Sequence, residues 1–247
     1  MSLEQKISSW LKDYLLNNHL DSFVIGISGG IDSAVTSALC AMTGCKTIVV
    51  TMPIHQNPTE TDRGVEHSSW LKKKYKNIEI LNIDLTDSYE QIKKSIPRKF
   101  NKPLALANTR ARIRMSTLYL IAGSSKGLVV GTGNKIEDFG VGFFTKYGDG
   151  GVDISPIADL MKSEVYDLGG KLNIIPSIMD AKPTDGLWDD GRTDEDQLGI
   201  SYDELEWAMN YNGEEINKNQ QKALDIYNKH RNANLHKMED IPIFKKK

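Results

Sequence analysis

Apolar positions recur along the chain at two spacings that take turns. Leu3, Ile7, Trp10, Leu11, Tyr14 and Leu15 form a stripe at helical period. Phe23 to Ile27 (FVIGI) is a short, β-branched run that predicts a buried strand. Val35, Leu39 and Met42 then mark one face of a helix that starts at Asp32 or Ser33 and is stopped by Gly44. Thr47 to Met52 (TIVVTM) predicts a second strand, ended by Pro53. Thr59 with Asp62 reads as the start of a helix through Trp70, Leu71 and Tyr75. Ile78, Ile80 and Ile83 predict a third strand, and Asp84-Leu85-Thr86-Asp87 opens a helix toward Ile96. A basic loop, Pro97 to Pro103, leads to a long helix over Ala105–Ala122 and a fourth strand over Leu128–Thr132. Further on, Asp153–Ile157 predicts a short strand and Met161–Leu168 a helix. Pro176–Gly199 looks irregular, and helices follow near Tyr202–Met209 and Glu214–Arg231. Strands alternating with helices predict an α/β fold: a doubly wound parallel sheet flanked by helices, in a single domain over residues 1–247. In such sheets ligands bind beyond the carboxyl ends of the strands.

The first strand–helix junction, Ser28-Gly29-Gly30-Ile31-Asp32-Ser33, carries the first candidate chemistry. Two adjacent glycines allow a sharp turn and close approach of backbone to a ligand. The unpaired N–H groups and the positive end of the following helix favour an anion, and Ser28 and Ser33 add hydroxyl donors. The junction reads as a phosphate cradle. No Lys follows the glycines, so it is not a Walker A loop, and Asp32-Ser33 stands where a dinucleotide fingerprint would have its third Gly. A carboxylate beside phosphates makes sense if a hard cation such as Mg²⁺ lies between them. The string SGGIDS resembles the pyrophosphate loop of the ATP pyrophosphatases, which split ATP into AMP and pyrophosphate.

Gly133 to Gly151 (GNKIEDFGVGFFTKYGDGG) is too glycine-rich and aperiodic to predict a regular element. Charges at Lys135, Glu137, Asp138, Lys146 and Asp149 interleave with aromatic residues, as in a mobile segment that closes over a ligand.

Taken together, SGGIDS, NTRARIRM (Asn108–Met115), GTGNKIED…FFTKYGDGGVDISPIADLMK (Gly131–Lys162), KPTDGLW (Lys182–Trp188), DEDQLGISYDELE (Asp194–Glu206) and His236-Lys237 resemble the ammonia-dependent NAD synthetases along essentially the whole chain. The resemblance implies amidation of deamido-NAD with free ammonia at the expense of ATP, through an adenylated intermediate, giving NAD, AMP and pyrophosphate. It implies that Gly26, Ile27, Ser28, Gly29, Gly30, Ile31, Asp32 and Ser33 hold the ATP phosphates. Thr132, Lys162 and Thr184 match other ATP-binding positions, and Asp32 and Glu137 match the carboxylates for magnesium. Arg112, Lys146, Asp153, His236 and Lys237 match positions for deamido-NAD. Asp32, Lys162 and Asp149 are the expected catalytic groups, with Asp149 a candidate to take the proton from ammonium. The family also implies a homodimer, for which the stripe Ile113, Leu118 and Ile121 and the terminal helices are candidate surfaces. Taken alone, Lys162 reads more readily as a helix-surface lysine. Arg112 and Arg114, two apart on a helix, face different ways, so one of them at most is expected at a given ligand.

Composition narrows the alternatives. The 31 basic and 33 acidic residues leave a net charge of -2, which gives no general drive toward nucleic acid or membrane. That counts against a tRNA-modifying ATP pyrophosphatase, the nearest alternative. A non-catalytic nucleotide sensor could dispense with Asp32, Glu137 and Lys162, yet all three are present. No apolar run is long enough to span a bilayer, the N-terminus does not resemble a signal peptide, and Lys245 to Lys247 reads as a solvated tail. Cys40 and Cys45 read as thiols in a reducing cytoplasm rather than as a disulfide or a zinc site. Neither sits where a glutaminase nucleophile would, and the phosphate loop begins at residue 28, so no glutaminase domain is expected.

Overall fold

The computed structural model describes residues 1–184 and 193–246. Asp185 to Trp188 of the KPTDGLW string and Lys247 lie outside the described residues. The elements run α1 (Leu3–Asn17), β1 (Ser22–Gly26), α2 (Ile31–Met42), β2 (Lys46–Thr51), α3 (Pro58–Lys74), β3 (Ile78–Asn82), α4 (Thr86–Ser95), α5 (Pro103–Ser124) and β4 (Gly127–Val129). They continue with a π-helical segment (Lys135–Val141), α6 (Lys162–Leu172), α7 (Pro176–Met179), α8 (Asp194–Leu198), α9 (Tyr202–Met209) and α10 (Lys218–Met238).

The four strands form a parallel sheet in the order β3-β2-β1-β4. From β1 the chain winds outward through β2 to β3, then crosses back to place β4 on the other side of β1. With right-handed crossovers this reversal puts α2 and α3 on one face and α4 and α5 on the other. Side chains alternate accordingly. Phe23, Ile25, Val49 and Leu128 enter a core with α1, α2 and α6, whereas Val24, Ile48, Val50 and Val129 enter a second core with Leu85, Tyr89 and Ala122. The reversal opens a crevice at the carboxyl ends of β1 and β4, the place where open α/β sheets bind ligands.

Several boundaries differ from the sequence expectation. Asn57 rather than Thr59 caps α3, with Pro58 as the first helical residue. Asp153–Ile157 is not a strand: it meets the sheet only at a single bridge, Val130–Ile154. Ile113, Leu118 and Ile121 pack on the second core, and the exposed apolar residues of α5 are Leu104 and Leu120. α10 runs on past Arg231 to Met238, so His236 and Lys237 belong to its last turn. A third apolar cluster, which periodicity did not reveal, joins Ile136 and Val141 of the π-helical segment to Leu198, Leu205 and Tyr227 of α8, α9 and α10.

His67 of α3 is fully buried, stacked on Trp70, with Nε2 2.9 Å from the Ser37 hydroxyl of α2 and Nδ1 without a partner. Burial lowers its pKa from 6.5 to about 4. Between those values the unfolded chain binds a proton that the folded chain rejects, so stability is lost as pH falls from 6.5 toward 4. The expected loss is about 3 kcal/mol from this residue. Urea unfolding at several pH values checks it: His67→Gln should flatten the slope between pH 6.5 and pH 4, and an unchanged slope would refute the assignment.

Candidate active site

The cavity at the sheet's carboxyl edge has a volume of about 800 Å³. β1 leads into it and α2 leaves it, with Gly30 as helix cap and no capping side chain on the first N–H groups of α2. The turn is braced from within. The Ser28 and Ser33 hydroxyls lie 3.1 Å apart, Ser28 Oγ accepts from the Gly30 N–H at 3.2 Å, and Ser33 Oγ donates to the Gly30 carbonyl at 3.0 Å. Gly29 holds a left-handed φ of 86° and faces α3 rather than the cavity. A Cβ there would lie 2.5 Å from the Glu60 carbonyl oxygen, and Arg63 Nε donates to the Gly29 carbonyl at 3.3 Å. Gly29→Ala is therefore expected to cost at least about 2 kcal/mol. Thermal unfolding checks it, and a wild-type melting temperature would contradict the packing described.

Three charged side chains from distant parts of the chain meet beside this turn. Asp32 comes from the first turn of α2, Glu137 from the π-helical segment and Lys162 from the first position of α6. Lys162 is 3% exposed, and its Nζ lies 2.6 Å from Asp32 Oδ2 and 2.9 Å from Glu137 Oε1. Lys162 is therefore not a helix-surface lysine. Asn134 links the parts: its Nδ2 donates to Asp32 Oδ1 at 3.1 Å, while its Oδ1 accepts the Ile136 and Glu137 N–H groups at 3.1 and 3.0 Å. Tyr202 donates its hydroxyl to Glu137 Oε1 at 2.5 Å. Burial raises the Asp32 pKa, with Lys162 opposing. For Glu137 burial pulls the same way, but Lys162 and the Tyr202 hydroxyl outweigh it and the pKa falls. Lys162 is itself desolvated, yet the two carboxylates hold its pKa above the usual lysine value.

The expected phosphate-loop residues other than Gly29 line the cavity, as do Thr132, Glu137, Lys162 and Thr184. Arg112, Lys146, Asp149, His236 and Lys237 line it too. Asp153 does not. Its carboxylate accepts the Tyr119 hydroxyl and the Val129 N–H, each at 2.8 Å, and so ties the 152–154 segment to the end of β4. Both Arg112 and Arg114 line the cavity. Arg114 reaches the Met52 carbonyl at 2.9 Å and Gln56 Oε1 at 2.8 Å, and Arg112 reaches the Lys146 carbonyl at 3.3 Å. Met52 and Gln56 also line the cavity, and nothing local in the sequence sets them apart.

The Gly133–Gly151 stretch is more ordered than its composition implies. Its π-helical turn is clasped by α10: Arg231 donates to the Phe139 carbonyl and, at 3.0 Å, to the Gly140 carbonyl, and Asn234 donates to the Val141 carbonyl at 2.9 Å. Lys237 Nζ reaches the Phe144 carbonyl at 2.7 Å, and Lys146 Nζ the His236 carbonyl at 2.8 Å. Asp149 Oδ1 accepts the Thr145 N–H at 3.0 Å. The α10 partners lie about ninety residues away in sequence, which is why no local pattern signals the order.

The arrangement joins a turn with uncapped helix-opening N–H groups to two carboxylates and a buried cation, in the lining of a cavity of about 800 Å³. Comparison with known proteins agrees. The sequence model of the NAD synthase family matches residues 3–247. The NH(3)-dependent NAD(+) synthetase of Finegoldia magna is 32% identical over 94% of this chain and 91% of its own. That of Mycoplasmopsis pulmonis is 41% identical over 80% of this chain and 74% of its own. Among solved structures, NMN synthetase from Francisella tularensis superposes with a TM-score of 0.89 at 35% identity, over 98% of this chain and 96% of that one. The chain belongs to the NAD synthase family.

Proposed function

We propose that the protein is an ammonia-dependent NAD synthetase, a ligase that converts deamido-NAD, ATP and ammonia into NAD, AMP and pyrophosphate. The observation that carries this reading is the contact of Lys162 with both Asp32 and Glu137 beside the Ser28–Ser33 turn. A carboxylate is a poor electrophile because oxide would have to leave. In the first step the nicotinate carboxylate oxygen bonds to the α-phosphorus of ATP and the bond to pyrophosphate breaks. In the second, ammonia bonds to the carbonyl carbon of the mixed anhydride, the bond to AMP breaks, and the ammonia nitrogen loses a proton. The N–H groups opening α2, the Ser28 and Ser33 hydroxyls and Lys162 would stabilise the charge that develops on the departing pyrophosphate. Asp149, which lines the cavity, would take the proton that turns ammonium into nucleophilic ammonia. Thr132 and Thr184 would contact ATP, and Arg112, Lys146, His236 and Lys237 the deamido-NAD.

Asp32 and Glu137 fit Mg²⁺. They are hard oxygen donors brought together on one cation, and Mg²⁺ is commonly held by one or two carboxylates plus substrate phosphates. When bound it would neutralise phosphate charge there. The reading also carries a homodimer, for which the groove between α4 and α5, lined by Leu85, Ile92, Ile113 and Leu120, is the candidate surface. No described helix is long and apolar enough to cross a membrane. The free thiols Cys40 and Cys45 fit a reducing cytoplasm.

The Francisella tularensis neighbour named NMN synthetase favours a second reading, in which the acceptor is the mononucleotide acid and the product NMN. One assay separates them. The protein is incubated with ATP, Mg²⁺ and ammonium plus either deamido-NAD or nicotinate mononucleotide, and NAD, NMN and AMP are quantified. Faster NAD formation supports the first reading and faster NMN formation the second, whereas AMP without either product, or no AMP, contradicts both.

A further inference from the structure

Behind the charged cluster, outside the cavity wall, α9 makes two contacts one helical turn apart. Tyr202 is buried, its hydroxyl donates to Glu137 Oε1 at 2.5 Å, and its ring centroid lies 4.9 Å from Lys162 Nζ. Four residues on, Glu206 accepts the Ser163 N–H at 2.9 Å and the Ser163 hydroxyl at 2.7 Å. Residues four apart share one helix face, so a single face of α9 grips Glu137, the Lys162 ammonium and the backbone immediately after Lys162. α9 itself is anchored away from the cavity by Leu205 in the third apolar cluster, and Tyr202 N–H donates to Glu195 at 2.9 Å.

We propose that Tyr202 and Glu206 are positioning residues for the phosphate and metal site. Tyr202 fixes the Glu137 carboxylate and Glu206 fixes the first turn of α6, so that Glu137 and Lys162 are held in place before ATP arrives. Neither residue touches the substrates, and both act through the side chains that do. This assignment rests on the proposed ATP site.

Tyr202→Phe separates this role from a structural one, because it keeps the ring that packs in the apolar cluster and faces Lys162 and deletes only the hydroxyl. Groups that orient metal ligands affect metal affinity or activity by about 10–100-fold. The expected result is a loss of that size in kcat, or in Mg²⁺ affinity titrated calorimetrically in the presence of a non-hydrolysable ATP analogue. The KM for deamido-NAD should stay near wild type, and the melting temperature should fall by only a few degrees, from the lost hydrogen bond to Glu137. Glu206→Ala should lower kcat about 10-fold, and Glu206→Gln, which keeps an acceptor for the Ser163 N–H, should restore most of it. Wild-type kcat and Mg²⁺ affinity in Tyr202→Phe, or a loss that only follows the loss of folded protein, would overturn the inference alone. A wild-type enzyme that forms neither NAD nor NMN would overturn the proposed function, and the inference with it.

Discussion

Lys162→Met is expected to lower the melting temperature by about 10 °C and to abolish turnover. The ammonium is almost fully buried and lies between two carboxylates that are themselves 17% and 16% exposed. Removing one partner of a buried ionic cluster costs about 3–5 kcal/mol, because the charges left behind keep their desolvation penalty. The residual exposure of Asp32 and Glu137 places the effect toward the lower end of that range. At about 2–4 °C per kcal/mol for a chain of this size, the melting temperature follows. A double variant tests the cause. Adding Asp32→Asn to Lys162→Met removes one stranded charge, so it should recover stability rather than lose more. Calorimetry on the four proteins gives the coupling, and a Lys162→Met protein as stable as wild type would contradict the electrostatics described.

Asp32→Asn alone should leave the fold intact and lower kcat by about 100-fold or more at saturating ATP and Mg²⁺. The fold survives because the Lys162–Glu137 pair at 2.9 Å persists and Asn134 keeps its two bonds to the Ile136 and Glu137 N–H groups. Under the proposed function turnover would fall because one of the two proposed carboxylate ligands for Mg²⁺ is lost. Steady-state kinetics with a parallel thermal melt separates the two effects, and a wild-type kcat would remove Asp32 from the proposed machinery.

What the sequence made legible follows from the range of the interactions involved. The alternation of strands and helices, and the SGGIDS turn between β1 and α2, depend on residues within a few positions of each other, and the structure agrees with both. Lys162 shows the limit. On its own helix it looks like any surface lysine, and only its meeting with residues 130 and 25 positions away in sequence buries it. The π-helical turn at Lys135–Val141 has no periodic signature because its stability comes from Asn134 and from α10 side chains more than ninety residues away. Asp153, matched to a deamido-NAD position, does not line the cavity, and its carboxylate accepts the Tyr119 hydroxyl and the Val129 N–H. A sequence motif can nominate a residue, but it does not say which way the side chain turns.

The most direct measurement is a crystal structure of the protein with Mg²⁺ and a non-hydrolysable ATP analogue. The proposed function predicts the triphosphate on the Gly26–Ser33 turn, with Lys162 at the phosphates and the carboxylates of Asp32 and Glu137 on the same metal ion. A triphosphate bound elsewhere, or a metal ion that neither carboxylate touches, would contradict it.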